Sequence, residues 1–231
     1  MVAGPIDERF LLHGDDLSGP FDFPRLFGRQ CPVEIEIGVG RGRFILGEAA
    51  RCPQVGFLGI ERVRKYLRVA LERLNRSGCE NVRLVREDAG FVVRELILDR
   101  SVTTYHIYFP DPWPKRRHHK RRLLNPDFAA HLHRTLCPGG TLNVATDYIS
   151  YFHEILAALH SVDGWVHTKV WTEQARGPES LDATTYEIKY SREARTIYRL
   201  AYIAASADIP NHPLDGTGRG WPRASPGPST I

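Results

Sequence analysis

The feature that most constrains the fold is a strand that runs directly into a glycine-rich turn. Val33–Ile37, with the sequence VEIEI, alternates apolar and acidic residues and predicts a β-strand. GVGRGRF follows at once, so that Gly38, Gly40 and Gly42 precede a helical stretch that ends near Ala50. Glycines let the backbone turn tightly and bring a ligand against bare amide groups. Strand, glycine turn and helix in this order predict the first unit of a doubly wound α/β fold that binds a nucleotide.

One acidic residue limits the kind of ligand that this turn can bind. Glu36 enters the turn, where a carboxylate repels a pyrophosphate and suits a cationic ligand. The glycine spacing also departs from the G-x-G-x-x-G of dehydrogenases. S-adenosyl-L-methionine carries an ammonium and a sulfonium, so we expect Glu36, Gly38 and Gly40 to bind this cofactor. The alternative, in which Glu36 is a strand residue that faces solvent, stays open on this motif alone.

Acidic residues recur where predicted strands end. Glu61 follows a strand at residues 55–60, about 20 residues after the turn, where an acid can accept hydrogen bonds from a ribose diol. Asp88 follows a strand at Val82–Val85, and we expect it to face an adenine amino group, to cap the next helix, or both. The carboxyl ends of parallel strands meet at one edge of a sheet, where ligands bind. The acids that fall at this edge are Glu36, Glu61, Asp88, Asp111 and Asp147.

The stretch YHIYFPDPWPKRRHHKRRLL, residues 105–124, joins a strand to a stiff turn. Its first residues are apolar and predict a short buried strand, which stops at Pro110 because a prolyl ring has no N–H for the ladder. Three prolines in five residues stiffen the turn that presents Asp111 and Trp113. We expect Asp111 to meet the substrate. For Trp113 two roles stay open, stacking on a base and bracing the turn.

The basic run KRRHHKRR, residues 115–122, carries six formal positive charges. The whole chain has a net charge of only +4, so the rest of it is net acidic. A concentrated basic patch on an acidic body favours contact with a polyanion over general solubility. The alternative is that Asp-Pro is ordinary turn chemistry and the run is a solvated loop.

Several motifs together resemble one family, bacterial tRNA (guanine-N7-)-methyltransferases. EIGVGRG, GIE, a strand with Asn-Val and its following Asp-Ala, FPDPWPKRRHHKRR, PGG with ATDY, and TTYE occur in the family's order and approximate spacing across residues 30–204. FPDPWPK with a basic run is highly specific, whereas the glycine motif is not. The resemblance implies a Rossmann-like methyltransferase fold with a mostly parallel seven-stranded sheet and helices on both faces. It also implies transfer of a methyl group from S-adenosyl-L-methionine to N7 of a guanine in the tRNA variable loop.

The resemblance also assigns roles to individual residues. The family's cofactor acids fall on the first four strand-end acids, and the last of them, Asp111, is also the implied active-site residue. The family's substrate contacts fall on Lys115, Asp147, Thr184 and Glu187. No metal is implied. The family's RNA-contacting segment falls on Arg117, Lys120, Arg121 and Arg122.

Two departures and two alternatives accompany the resemblance. Val39 stands where the family usually has an aromatic residue, and the N-terminal arm lacks a basic signature for RNA.

A small-molecule methyltransferase of the same fold would leave the basic run unexplained. A catalytically inactive RNA-binding protein predicts lost cofactor acids, and all are present. We therefore expect tRNA as the partner, with no obligatory protein partner and a monomeric or homodimeric state.

The composition of the chain and the positions of its prolines and glycines predict the domain organisation. With 42% hydrophobic and 25% charged residues, the 231-residue chain is globular. We expect an irregular arm at residues 1–30, a methyltransferase domain at 31–205 and a tail at 206–231, because nine of the last 22 residues are Pro or Gly. We expect neither a secretory signal nor a membrane span. The four cysteines are scattered and typical of reduced thiols, so we expect a cytoplasmic protein.

Overall fold

One mostly parallel sheet of eight strands runs through the part of the chain that the computed structural model describes, residues 8–175, 184–191, 193 and 195–205. The strands alternate with helices, as the sequence predicted. In chain order the strands are β1 (Leu11–Leu12), β2 (Val33–Ile37), β3 (Gly56–Ile60), β4 (Val82–Val85), β5 (Val102–Tyr108), β6 (Leu136–Thr146), β7 (Trp165–Gln174) and β8 (Thr196–Ala204).

The order of the strands across the sheet is β1-β4-β3-β2-β5-β6-β8-β7. Neighbours from β1 to β6 are parallel, and β8 is antiparallel to both β6 and β7. The chain moves outward from β2 to β3 and β4, then returns to place β5 on the other side of β2. This reversal between β2 and β5 is the topological switch point, where sheets of this type open a crevice for ligands.

The helices are amphipathic segments that return the chain between strands. α2 and α3 pack with Phe57 and Leu84 in one buried cluster, whereas α5 and α6 pack with Leu58 and Ile60 in another. Because successive strand residues point to opposite faces, helices cover both faces of the sheet. The Rossmann-like prediction is confirmed. The helices are α1 (Phe23–Phe27), α2 (Arg43–Arg51), α3 (Arg64–Ser77), α4 (Ala89–Phe91), α5 (Pro126–Thr135), α6 (Ile149–His160) and α7 (Thr185–Ser191), with a π-turn at Val92–Leu96 and a 3-10 helix at Arg116–Arg121.

The N-terminal segment packs against the sheet. Phe10, Leu12, Phe21 and Phe23 are buried, and β1 pairs with β4 to add the eighth strand at the edge. The sequence predicted seven strands because a two-residue strand has no periodicity to detect. The tail predicted at residues 206–231 lies outside the described residues. No helix of the described ranges is long and apolar enough to cross a bilayer.

Asn81, just before β4, holds the end of α2 and the loop that leads to β3. Its side-chain amide donates hydrogen bonds to the carbonyls of Ala49, Cys52 and Val55, at 3.2, 3.2 and 2.9 Å. These carbonyls lie at the end of α2 and in the loop to β3. One amide therefore satisfies acceptors that the end of a helix leaves without a helical partner.

Replacing Asn81 with alanine should destabilise the protein by about 1–3 kcal/mol, because partly buried carbonyls lose their donor. Asn81→Asp, which keeps the shape but removes the donor, should lose a similar amount. Denaturant unfolding of both variants measures the loss. A change below about 0.5 kcal/mol in Asn81→Asp, the usual size of a surface effect, would contradict this role.

Candidate active site

A cavity of about 660 Å³ opens at the switch point, along the carboxyl ends of the central strands. Its lining comes from the ends of β2, β3, β4 and β5, from the glycine turn and from the start of α7. Four of the five predicted strand-end acids meet there. These four are Glu36, Glu61, Asp88 and Asp111.

The glycine turn has the geometry that its composition predicts. Gly40 and Gly42 have φ values of 56° and 77°, in the left-handed region where side chains are strained. A Cβ on Gly42 would lie 3.0 Å from the Cβ of Ala70, so this glycine also permits close packing of the turn on α3. Gly38 and Val39 donate their N–H groups to the carbonyl of Ile60, at 2.9 and 3.2 Å, which fixes the turn against β3.

Glu36 is a buried acid that faces the cavity with an unused acceptor. Glu36 is 4% exposed, which excludes the alternative that it is a strand residue facing solvent. Its carboxylate accepts a hydrogen bond from the backbone N–H of Ile45, while Oε2 has no hydrogen-bond partner among the residues that the structure describes. Burial raises the pKa of this carboxyl well above its ordinary value, and the nearby carboxylates of Glu61 and Glu48 raise it further. A ligand that brings a positive charge or a donor to Oε2 fits this site.

Glu61 is held rigidly between the glycine turn and α3. Its Oε2 accepts from the N–H of Gly40 at 2.8 Å, and its Oε1 accepts from the N–H of Val63 at 2.7 Å. The residue is 8% exposed and lines the cavity. Because each carboxylate oxygen accepts more than one hydrogen bond, both oxygens can still accept from a bound diol.

Asp88 caps the helix that follows β4. Its Oδ1 accepts from the N–H groups of Gly90 and Phe91, at 3.0 and 3.3 Å, and confirms the predicted N-cap. Its Oδ2 lies 3.8 Å from a guanidinium nitrogen of Arg62. The residue also lines the cavity, so the cap leaves its second oxygen on the ligand side.

The turn that carries Asp111 is strained on both sides. Phe109 and Trp113 have φ values of 53° and 42°, in the left-handed region that bulky residues avoid. The N–H of Phe109 donates to the carbonyl of Ala145 at 2.8 Å, which ties the turn to β6. Asp111 is exposed and lines the cavity. The stiffness of this turn therefore comes from tertiary contacts as well as from its prolines.

Trp113 lines the cavity and also braces the turn. The guanidinium of Arg121 lies 5.0 Å from its ring centroid, and the ring of His118 meets it edge-on at 5.8 Å. The described residues therefore support bracing, while the cavity face of the indole stays open to a ligand. Arg117, Lys120 and Arg121 are exposed on the 3-10 helix, and among them Arg121 lines the cavity.

Arg122 is buried, which corrects the prediction that this residue contacts RNA. It is 4% exposed, and its Nε donates to the carbonyl of Pro112 at 2.8 Å. Its guanidinium pairs with Glu154 and lies 4.8 Å from the ring centroid of Tyr151. Arg122 is therefore a buried tie between α6 and the Asp111 turn, out of reach of a phosphate. Local sequence could not reveal this, because Glu154 and Tyr151 lie far along the chain.

The residues predicted to contact substrate divide into two groups. Thr184 lines the cavity, whereas Lys115 is exposed outside it and Asp147 pairs with Arg195 at 2.7 Å. Asp147, the fifth of the predicted strand-end acids, therefore does not line the cavity with the other four. The lining of the cavity does not include Lys115, Asp147 or Glu187.

Glu187 corrects the prediction of a direct substrate contact. It is fully buried and forms an ion pair with Arg199 of β8. Its Oε2 accepts from the N–H of Thr184 at 3.0 Å, and its own N–H donates to Oγ1 of Thr184 at 3.1 Å. This reciprocal pair is a capping box at the start of α7. Glu187 therefore holds Thr184 at the cavity.

Two aromatic residues at the mouth were not predicted there. Tyr186 stacks on Phe109 with ring centroids 5.9 Å apart and an interplanar angle of 8°. Burial raises the pKa of Tyr186, and the charge of Asp111 adds to the shift. Tyr66 is 41% exposed and also lines the cavity. The aromatic position of the TTYE motif was the one sequence signal for Tyr186.

Comparison with known proteins agrees with this geometry. Residues 30–200 match a family model described as "Putative methyltransferase". The chain is 36% identical over 197 residues to the tRNA (guanine-N(7)-)-methyltransferase of Geobacter metallireducens, which covers 85% of this chain and 93% of that one. It is 35% identical over 185 residues to the enzyme of the same name from Salmonella typhimurium, covering 80% and 77%.

A solved structure shares the fold at low identity. It is a variant of the 16S rRNA (adenine(1408)-N(1))-methyltransferase from Catenulisporales acidiphilia with its cosubstrate SAM, at a TM-score of 0.61 and 15% identity. The match covers 86% of this chain and 96% of the other. Fold and cavity together define a Rossmann-like methyltransferase that depends on S-adenosyl-L-methionine. The chain belongs to the tRNA (guanine-N(7)-)-methyltransferase family, and the predicted family is confirmed.

Glu36→Gln should make the ligand-free protein more stable at neutral and alkaline pH. The native pKa is raised, so the stability that Glu36 contributes is full below its ordinary value of 4.5 and is lost as pH rises through the native pKa. The variant escapes this loss, and its melting temperature should exceed that of wild type by about 2–6 °C at pH 8. The two curves should converge toward pH 4.5. A pH series of thermal melts, with Glu72→Gln as a partly exposed control, tests this; parallel curves for Glu36→Gln contradict it.

Arg122→Met should destabilise the protein by about 1–3 kcal/mol, because the carbonyl of Pro112 and the carboxylate of Glu154 lose their partner. Arg117→Met removes the same charge from an exposed position and should change stability by less than about 0.5 kcal/mol. Denaturant unfolding of the two variants makes the comparison. Equal stability of both would mean that Arg122 is not a structural tie.

Proposed function

We propose that this chain transfers a methyl group from S-adenosyl-L-methionine to N7 of a guanine in the variable loop of tRNA. One observation carries the proposal: the orphaned carboxylate oxygen of Glu36 and the carboxylate of Asp111 face the same cavity. An exposed cationic helix, Arg116–Arg121, follows the Asp111 turn. A cation-binding pocket beside a polyanion-binding surface suits a charged cofactor and a nucleic-acid substrate.

The cofactor-binding residues follow from the donor and acceptor groups of the cavity. Glu36 receives the cofactor's ammonium, since its Oε2 is a buried acceptor without a partner. The bare backbone at Gly38 and Gly40 lets the amino-acid end approach closely. Glu61 accepts from the ribose hydroxyls, because both of its oxygens are already fixed by backbone N–H groups. Asp88 uses its second oxygen for the adenine amino group.

Methyl transfer to guanine N7 depends on the placement of the two reactants more than on proton transfer. The bound cofactor supplies an electrophilic methyl group on a sulfonium. Guanine N7 has an in-plane lone pair, so the chain need not supply a base to remove a proton. Asp111 acts as the catalytic residue by stabilising the positive charge that develops on the purine. The constrained backbone between Phe109 and Trp113 presents Asp111 at the cavity, which places its carboxylate beside the reacting base.

Residues around the mouth recognise the substrate. Thr184 contacts the guanine, and Glu187 acts through Thr184 as a positioning residue. Asp147 exchanges its partner Arg195 for the guanine N1–H and amino group, which adenine cannot mimic. Lys115, beside the Asp111 turn, reaches the target nucleotide. The phosphate contacts come from Arg117, Lys120 and Arg121.

The test is incubation of an unmodified tRNA transcript with methyl-labelled cofactor, followed by mapping of the labelled base. Asp111→Asn should keep the fold and lose about 100-fold or more of the single-turnover rate, because a preorganised charge is removed. Asp163→Asn, an equivalent change at an exposed surface position, should leave the rate unchanged.

The outcomes separate the rival functions. Label at guanine N7 of the variable loop supports the proposal. Cofactor binding without any transfer to tRNA would favour a small-molecule methyltransferase, and tRNA binding without cofactor binding would favour an inactive RNA-binding protein. A near-normal rate in Asp111→Asn would reduce Asp111 to a turn residue.

A further inference from the structure

The first turn of α3 forms an exposed, cationic rim on the cavity. This α3 rim consists of Val63, Arg64, Lys65 and Tyr66. Val63 and Tyr66 are 45% and 41% exposed although both are apolar or aromatic, and both line the cavity. Arg64 and Lys65 are exposed beside them. None of the roles derived above for catalysis or for the basic run uses these four residues.

The position of α3 directs the rim toward the mouth. α3 starts three residues after Glu61, at the carboxyl edge of β3 where the cavity opens. Side chains of a helix tilt toward its N-terminus, so the long cations of the first turn lean toward that edge. Tyr66 shares the cavity with Tyr186 of α7, and the pKa of Tyr186 responds to Tyr66. The α3 rim and the start of α7 therefore border the same opening.

The charge of the rim opposes the stability of its own helix. The first turn of α3 has no acidic residue and carries cations where the helix dipole favours anions. Arg62, just before it, lies near Asp88, but neither Arg64 nor Lys65 forms an ion pair within the described ranges. Cations kept at a position that costs the helix stability, next to an exposed aromatic ring, fit a polyanion with stacking bases.

We propose that the α3 rim is a second RNA-contact surface, in which Arg64 and Lys65 bind tRNA backbone phosphates while Tyr66 and Val63 pack against a nucleotide at the entrance. The proposal rests on the function proposed above. The tRNA strand then spans the mouth, with one flank on the 3-10 helix Arg116–Arg121 and the other on the α3 rim. The target guanosine enters the cavity between the two.

α3 offers a matched control for the charge. Lys65 and Arg76 are about three helical turns apart, so they project from the same face at opposite ends of the helix. Both are exposed. Lys65→Gln should weaken binding of an unmodified tRNA transcript about 3-fold and make the slope of log binding constant against log salt roughly 0.7–0.9 shallower. Arg76→Gln should leave both unchanged, and the double variant Arg64→Gln/Lys65→Gln should about double the effect of Lys65→Gln on the slope.

Thermal stability gives a second readout that a structural role would not reproduce. Lys65→Gln removes a cation from the disfavoured end of the helix and should raise or preserve the melting temperature. Arg76→Gln removes one from the favoured end and should lower it slightly. Weaker tRNA binding in the more stable variant therefore identifies a binding residue.

Three results would overturn the proposal in distinguishable ways. Parallel salt lines for Lys65→Gln, Arg76→Gln and wild type would show that the rim does not touch RNA. A loss of S-adenosyl-L-methionine affinity with an unchanged salt slope would assign the rim to the cofactor. Wild type that binds the cofactor but no tRNA would overturn the proposed function itself, before any variant is compared.

Discussion

The parallel pairing of β2 with β5 is the constraint on which the rest of the site depends. It creates the switch point, so the glycine turn after β2 and the proline turn after β5 open side by side. Glu36 enters the first turn and Asp111 stands on the second, and neither side chain alone would define a ligand. The carboxylate of Glu61 then links the glycine turn to α3 through two backbone N–H groups. A slip of one residue in this pairing would move Glu36 to the other face of the sheet.

Local patterns predicted the elements, and distant contacts decided the exceptions. Val33–Ile37 and Val82–Val85 agree with the structure because alternation and turn residues are local signals. The start of α5 is local in the same way, since Oδ1 of its N-cap Asn125 accepts from the N–H of Phe128 at 3.0 Å. The fate of a charged side chain depends instead on partners far along the chain. Arg122 meets Glu154, and only the tertiary fold brings them together.

The basic run therefore has an inner and an outer part, which a count of charges could not separate. Its outer cations Arg117, Lys120 and Arg121 are exposed to water, and Arg121 also lines the cavity. Arg122 is removed from water, and its guanidinium is stabilised by a carboxylate, a carbonyl and an aromatic face. α7 repeats this arrangement, because the buried pair of Glu187 and Arg199 lies behind the residue that reaches the cavity. In both places a buried arginine in an ion pair lies behind a residue that lines the cavity or the turn beside it.

The buried carboxylate of Glu36 has a consequence for turnover. The ammonium, ribose and adenine that the cavity acids are suited to hold are common to the cofactor and to its demethylated product. In the proposed mode of binding these acids make similar contacts to both molecules, and only a group near the sulfur senses the lost sulfonium charge. The cofactor contacts proposed for these acids therefore imply product inhibition, because the demethylated cofactor keeps the groups that secure the first round of binding.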